Sequence, residues 1–452
     1  MNKFLFTTLP SNDLGLLTRS LPIANELTKL GHKITFSSPA KAPKKVIADA
    51  GYENLSPKLP LYEIGFGGFS IKRFHKILKS KRLRQEYGSL FTFFFRLIRS
   101  LPIKFAPSSP DVWNMDHAAA MAGMMNRNFV KSQCDAYIRL LKESNADVVV
   151  DFFNPFSCIA AKALHKPLIT VIQADVHPDS KGFIWWETLS QNLPSALPAV
   201  NKVLAGYGLK RITKMEELNI GDLTLIVGTP DTDPLQGSPE GTYIGPLLWQ
   251  QSDAEFPPWF DELHHGKPII WVYSGNPRYA SKATIVDSEV IIDASVKVLA
   301  QEDVQVVLTT GYHSLPEDIL PLPENFHHAR YVPGLDMAQK CDLMIHHGGY
   351  GSCQTGLYSG TPAVMIPTFS ERESNARKIA MLGAGEYVLP KTDDTKKKHV
   401  DLEEFRTTVN KVLMTPSYSE KAEHFSEQIR GFGGPEKAAQ LIADIARNNN
   451  GE

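Results

Sequence analysis

Cysteine is scarce, with four residues in 452, and Cys134, Cys158, Cys341 and Cys353 fit neither a CxxC nor a zinc spacing. Cys158 and Cys341 sit among apolar residues and read as buried thiols, and a reducing compartment is the natural setting for such a chain. Charge of either sign is nearly balanced, at a net −1, which removes any global reason to expect nucleic acid as a partner. Long hydrophobic runs are also missing. No segment reaches the ~20 apolar residues of a membrane-spanning helix. Met1–Leu9 is too short for the apolar part of a secretory signal and runs into Pro10 and Asp13. A cytoplasmic protein is the expectation. No repeat with a period of roughly 20–50 residues is visible. What remains is ordinary globular composition, 42 % hydrophobic, 21 % charged and 10 % aromatic. At this length it suits two α/β domains of roughly 200 residues each.

The charge is unevenly spread. Ten basic residues and one acid, Glu86, lie between Lys72 and Lys104, so that stretch carries +9 and the rest −10. Elsewhere, short β-branched runs alternate with segments of helical period. Lys3–Thr8 predicts a buried strand, and the next segment predicts a helix with an apolar face of Leu16, Leu17, Leu21, Ile23, Ala24 and Leu27. Gly31 stands where that helix should stop. Further strands are expected at Lys33–Phe36, Val148–Asp151, Leu168–Ile172 and Leu223–Val227. The second half repeats the alternation at Pro268–Tyr273, Val304–Leu308, His327–Val332, Leu343–Ile345, Ala363–Ile366 and Tyr387–Leu389. Such alternation implies parallel sheets covered on both faces. The expected fold is α/β, with two parallel-sheet domains facing a cleft at the carboxyl ends of their strands. The expected divisions are 1–229, a Pro- and Gly-rich linker at 230–266, a second domain at 267–434 and a terminal helix and tail at 435–452.

The most informative segment is Leu343-Met344-Ile345-His346-His347-Gly348-Gly349-Tyr350-Gly351-Ser352. A strand runs into a loop with three glycines and then a short helix. Glycines let the backbone approach an anion closely, and the amino terminus of the helix turns free N–H groups and a positive dipole end towards it. His347 adds a ring donor and Ser352 a hydroxyl. The competing reading is a glycine-rich turn without a ligand.

This segment, with Gly360-Thr361-Pro362, Pro367, Glu371 and Asn375, resembles the donor signature of family 1 glycosyltransferases, which have the GT-B fold of two Rossmann-like domains. Ser274-Gly275 sits where that family has a strand-to-loop turn. Tyr331-Val332-Pro333 is similar to its aromatic-x-Pro segment, and Gly311, Gly383 and Gly385 fall on its glycines. The resemblance implies a UDP- or dTDP-sugar donor and a small-molecule acceptor. His347 and Ser352 would hold the diphosphate with backbone help from Gly349 and Gly351. Tyr331 would stack on the base beside Val332, and Glu371 would bind sugar hydroxyls.

Two positions depart from the pattern. Thr355 replaces the usual ribose-binding Glu, which suits a thymidine donor lacking the 2′-hydroxyl, and Arg372 replaces a Gln. An exchanged carboxylate of that kind is worth on the order of 1–3 kcal/mol. The first strand-to-helix loop also lacks the family's His base. Asp13 is the only ionisable side chain there and is the candidate base, its rival role being to cap the following helix. Asp151 matches the family's orienting Asp, and His177 is a second candidate base. No cofactor and no metal are expected. The closest Asp-x-Asp string, Asp231-Thr232-Asp233, reads as a turn in the linker. Phe183, Trp185, Trp186, Phe91, Phe93, Phe94 and Phe95 line a hydrophobic acceptor pocket or belong to the core. The basic stretch Lys72–Lys104 is a solvated helical face or, less favoured, a membrane-surface contact for a lipid acceptor. A nucleotide-binding pseudoenzyme and a sugar-nucleotide epimerase are the remaining alternatives.

Overall fold

The computed structural model describes residues 1–9, 14–58, 111–190, 192–237, 239–250, 254–263, 266–275, 282–311, 315–394 and 397–449. Two compact units emerge. The first holds Met1–Val227, Pro234–Leu247 and Gly434–Glu452, and the second Gly228–Asp233 and Leu248–Gly433.

In the first unit the elements run β1 (Lys3–Thr8), α1 (Gly15–Lys29), β2 (Lys33–Ser37), α2 (Lys41–Asp49) and β3 (Glu53–Asn54). They continue through α3 (Met115–Ala119), α4 (Arg127–Ser144), β4 (Val148–Phe152), α5 (Pro155–Ala163), β5 (Leu168–Gln173), α6 (Leu197–Gly206), β6 (Leu223–Val227) and β7 (Thr242–Gly245). The strands form one parallel sheet in the order β3-β2-β1-β4-β5-β6-β7. The expected apolar face of α1 is buried at Leu17, Leu21, Ile23, Ala24 and Leu27. α5 starts at Asn154-Pro155. The Asn154 side chain accepts from the N–H groups of Phe156 and Ser157, and the proline needs no donor in the first turn. β7 lies within the stretch expected as linker.

The second unit runs β8 (Ile269–Tyr273), α7 (Lys282–Leu299), β9 (Gln305–Thr309), β10 (Phe326–Ala329), α8 (Gly334–Lys340), β11 (Leu343–His346) and α9 (Tyr350–Ser359). It ends with β12 (Ala363–Met365), α10 (Ser370–Met381), β13 (Gly385–Tyr387), the small hairpin β14 (Lys391–Thr392) and β15 (Lys398–His399), α11 (Leu402–Met414) and α12 (Ser417–Arg430). Its six-stranded parallel sheet is ordered β10-β9-β8-β11-β12-β13. Successive β8 residues feed opposite faces: Ile270 and Val272 join one apolar cluster, Ile269 and Trp271 the other. Each aliphatic side chain so buried contributes about 1.5–3 kcal/mol. α13 (Gly434–Asn449) returns to the first unit and packs on α1.

Both sheets reverse direction once, between β1 and β4 in the first unit and between β8 and β11 in the second. Loops leaving such strand pairs diverge and leave a crevice at their carboxyl ends, where α/β sheets bind ligands. Among the described residues no helix is long and apolar enough to cross a membrane. All four cysteines are buried and free.

Candidate functional site

In the second unit the strands flanking the reversal deliver the two segments that the sequence singles out. β8 ends at Ser274-Gly275, and β11 ends at His346 and opens into His347-Gly348-Gly349. Glycine is required here by space. A Cβ on Gly349 would lie 2.3 Å from His347 Nε2, and one on Gly348, at φ +77°, would lie 2.8 Å from the Arg372 carbonyl oxygen. The His347 ring therefore lies against the loop, with Cε1 only 3.5 Å from where a side chain on Gly275 would begin. α9 starts directly afterwards. Gly349 is its N-cap and provides no side-chain acceptor, so no cap side chain competes with an anion for the amino-terminal turn and its positive dipole end. Ser352 and Thr355 are half-buried on this helix, and Gly351 is exposed in its first turn.

Several buried polar atoms around this loop have no hydrogen-bond partner among the described residues: Ser274 Oγ, His347 Nδ1 and Asn375 Oδ1. A buried polar atom left unpaired costs about 1–3 kcal/mol, and a cluster of them beside a helix terminus makes this loop the candidate ligand site. Burial, then the Arg372 guanidinium, hold His347 well below the ordinary histidine range. It is neutral at pH 7 and acts as a hydrogen-bonding group rather than a charge. His346 is fully buried and pushed down to about 3. Its Nδ1 accepts from the Gly348 N–H at 3.1 Å, which leaves the proton of the neutral ring on Nε2.

The amino-terminal turn of α10 closes the other side of the loop. Asn375 Nδ2 donates to the Gly348 carbonyl and to Glu371 Oε1, both at 3.0 Å. Glu371 is thereby held beside the glycines. Arg372 lies over the Phe369 ring, 4.5 Å from its centroid, and donates to Thr368 Oγ1 at 2.7 Å. Lys398 donates to the Thr368 carbonyl oxygen. Tyr331 is half-buried and Val332 buried in the link between β10 and α8, with Pro333 capping α8.

Residues 286–444 match the family described as erythromycin biosynthesis protein CIII-like, C-terminal domain. The chain is 28 % identical over 231 residues to an uncharacterized UDP-glucosyltransferase, YojK, of Bacillus subtilis (strain 168), covering 50 % of this chain and 53 % of that protein. It is 29 % identical over 244 residues to 4′-demethylrebeccamycin synthase of Lentzea aerocolonigenes, covering 53 % of this chain and 54 % of that protein. Among solved structures, the calicheamicin glycosyltransferase CalG4 superposes with a TM-score of 0.66 at 17 % identity, over 99 % of this chain and 98 % of that one. The glycosyltransferase VinC in complex with dTDP gives 0.64 at 16 % identity, over 99 % and 100 %. The chain is thus similar to glycosyltransferases, in sequence over about half its length and in fold over nearly all of it. Its two parallel-sheet units are those of the GT-B fold. The sequence matches span about half the length of these curated relatives.

Against that family pattern the first unit is less explicit. Asp13 lies outside the described residues, as do Lys72–Lys104 with Phe91, Phe93, Phe94 and Phe95. Asp151 is buried at the reversal, opposite Thr7 in the β1–β4 register. It accepts from Thr7 Oγ1 at 2.5 Å, from the Asn154 N–H at 2.8 Å and from Ser157 Oγ. Burial raises its pKa, although each of these donors favours the carboxylate. The carboxylate thus ties β1, β4 and α5 together. His177 is buried rather than solvated. Its Nε2 bonds the Glu240 carbonyl oxygen at 2.8 Å, and its Nδ1 accepts from the Asp179 N–H at 3.1 Å. Phe183 packs into the core, whereas Trp185 and Trp186 are half-buried, edge to face at 5.5 Å. Among the described residues no group of three or more His, Cys, Asp or Glu could hold a metal. The Asp231-Thr232-Asp233 string is more than a turn: Asp233 is buried within the second unit. Nothing in its immediate sequence signals that burial.

Proposed function

We propose that this protein is an inverting glycosyltransferase that moves a hexose or deoxyhexose from a UDP- or dTDP-sugar to a hydroxyl of a small hydrophobic acceptor. One observation carries the reading. Buried groups without a hydrogen-bond partner among the described residues, Ser274 Oγ and His347 Nδ1, flank a glycine loop at the start of α9, whose cap residue offers no side chain, where the sheet reverses. A diphosphate would take their hydrogen bonds and the first-turn amides of the helix. In the reaction the acceptor oxygen would attack the anomeric carbon while the bond from that carbon to the phosphate oxygen breaks. The leaving diphosphate would keep the electron pair, stabilised by preorganised donors in place of water. A base must take the acceptor proton, a contribution of typically ~10²–10⁴-fold, and Asp13 is the candidate. Glu371, steadied by Asn375, would receive sugar hydroxyls, and Tyr331 would stack on the base. Thr355 favours a thymidine nucleotide, and the VinC structure with dTDP supports that choice by likeness. The small-molecule acceptor is proposed from likeness to 4′-demethylrebeccamycin synthase and the calicheamicin glycosyltransferase.

Calorimetric titration with UDP, dTDP, GDP and ADP tests the donor half of the reading. Binding confined to UDP or dTDP supports it, and failure of all four removes it. Binding without transfer to any acceptor would favour a nucleotide-binding pseudoenzyme. Transfer is expected to need no metal and to survive excess EDTA; loss that only magnesium or manganese restores would contradict this.

A further inference from the structure

Asp233 is 2 % exposed, and its surroundings are those of a structural charge rather than a solvent turn. The preceding residues make a closed turn. The Asp233 N–H donates to the Thr229 carbonyl oxygen at 2.9 Å, and the Thr229 N–H to Thr232 Oγ1 at 3.1 Å. That turn presents the carboxylate to two helices. Oδ2 accepts from Thr232 Oγ1 at 2.8 Å, Tyr350 Oη at 3.1 Å and Gln354 Nε2 at 3.3 Å. Oδ1 lies 3.7 Å from Lys378 Nζ, whose side chain is 14 % exposed. Gly228, at φ +97°, makes room for the arrangement: a Cβ there would fall 2.1 Å from Asp233 Oδ2 and 2.9 Å from Tyr350 Oη.

The partners are informative by position. Tyr350 is the first residue of α9, Gln354 is one turn further on, and Lys378 is on α10. Those two helices frame His347 and the glycine loop. A buried carboxylate is costly unless an opposite charge and several donors compensate it, and this one has both. Its charge is spent on holding the first turn of α9 against α10. The amides of that turn are the groups that meet a diphosphate under the proposed function. Hydrogen bonds to a fixed anion weaken steeply with misplacement, so the anchor of the helix start bears on affinity as well as stability.

We propose that Asp233 is a positioning residue for the donor: through Tyr350, Gln354 and Lys378 it sets the place of the α9 amino terminus and thereby the affinity for the nucleotide diphosphate. The inference rests on the donor reading above.

The test uses the full-length protein and titrates UDP and dTDP into wild type, Asp233→Asn, Tyr350→Phe and Gly228→Ala. Lys411→Met, which breaks the exposed Lys411–Glu386 pair on the same unit, is the control. Melting temperatures are recorded in parallel. The first three variants are expected to bind nucleotide roughly tenfold more weakly, as a displaced binding group would cause, while the control keeps wild-type Kd. Tyr350→Phe removes a single hydroxyl, so it decides the matter if Asp233→Asn does not fold. A purely structural role would lower the melting temperature and leave Kd unchanged; that result in folded Asp233→Asn or Tyr350→Phe overturns the proposal. Wild type that binds neither nucleotide overturns the donor reading and this inference together, which distinguishes the two failures.

Discussion

His346 should make the second unit lose stability in mild acid. The ring is fully buried and its pKa is pushed down to about 3 by loss of hydration, against about 6.5 in an unfolded chain. Below the unfolded value the unfolded chain therefore binds a proton that the folded one refuses. Stability from this group is fully present above the unfolded pKa and falls as pH drops towards the folded pKa. Between about pH 7.5 and pH 5.5 the loss is about 1.4 kcal/mol for this single ring. That is a sizeable share of the ~5–15 kcal/mol that holds a typical domain. Asn is the informative replacement, because its side-chain oxygen can take over the Gly348 N–H that Nδ1 accepts. The assay is the opening free energy of the β11 amides by hydrogen exchange, corrected for intrinsic rates, at both pH values. Wild type should lose about 1.4 kcal/mol more than His346→Asn across that interval. His32, His117, His328 and His347 are also lowered by burial, but they are present in both proteins and cancel in the difference. Equal losses, or a His346 imidazole resonance that titrates near pH 6.5 in the folded protein, would refute the reasoning.

Ser274→Ala removes a hydroxyl that is unpartnered among the described residues. It should leave the melting temperature unchanged or slightly higher while weakening nucleotide binding; a large loss of stability would show that the hydroxyl serves the fold. Gly349→Ala would bring a Cβ to 2.3 Å from His347 Nε2, so the ring must turn away. Calorimetry should then show weaker nucleotide binding in a protein whose circular dichroism is unaltered. Gly385→Ala meets backbone instead, 2.2 Å from the Ala363 carbonyl oxygen across the β12–β13 pair. It should destabilise by about 1–3 kcal/mol in thermal or urea unfolding, and a wild-type transition would contradict the close approach.

Strands buried on both faces were legible because nothing but short β-branched runs suits them. Lys3–Thr8 and Leu223–Val227 were expected and found with the same ends. Strands that borrow their stability from a neighbour were not. β7 carries Thr242-Tyr243-Ile244-Gly245 amid prolines and glycines, and only its pairing with β6 makes it a strand. β13 starts at Gly385, a residue poor in strand propensity that is there because the adjacent backbone leaves no space. The expected strand at His327–Val332 runs instead from Phe326 to Ala329, leaving Tyr331 in the link before α8. The same contrast holds within the site. The His346–Gly349 loop and the start of α9 are contiguous in sequence, so their spacing could be read. Asp233 meets Tyr350 and Gln354 across 117 and 121 positions, and no local pattern announces a partner that remote.

α13 has a practical consequence for anyone exchanging parts between relatives. Ala438, Ala439, Ile442, Ala443 and Ala446 are buried along it, and Lys437 Nζ holds the Tyr243 carbonyl oxygen of β7 at 2.9 Å. The last stretch of sequence therefore serves the first unit, although it follows the second. A chimera joined at one point near residue 248 would import a foreign α13 against a native α1. Two junctions, near Leu247 and Gly433, would keep the alanine face with its own partner. The excursion Gly228–Asp233 would have to travel with the inserted unit, since Asp233 answers to Tyr350 and Lys378.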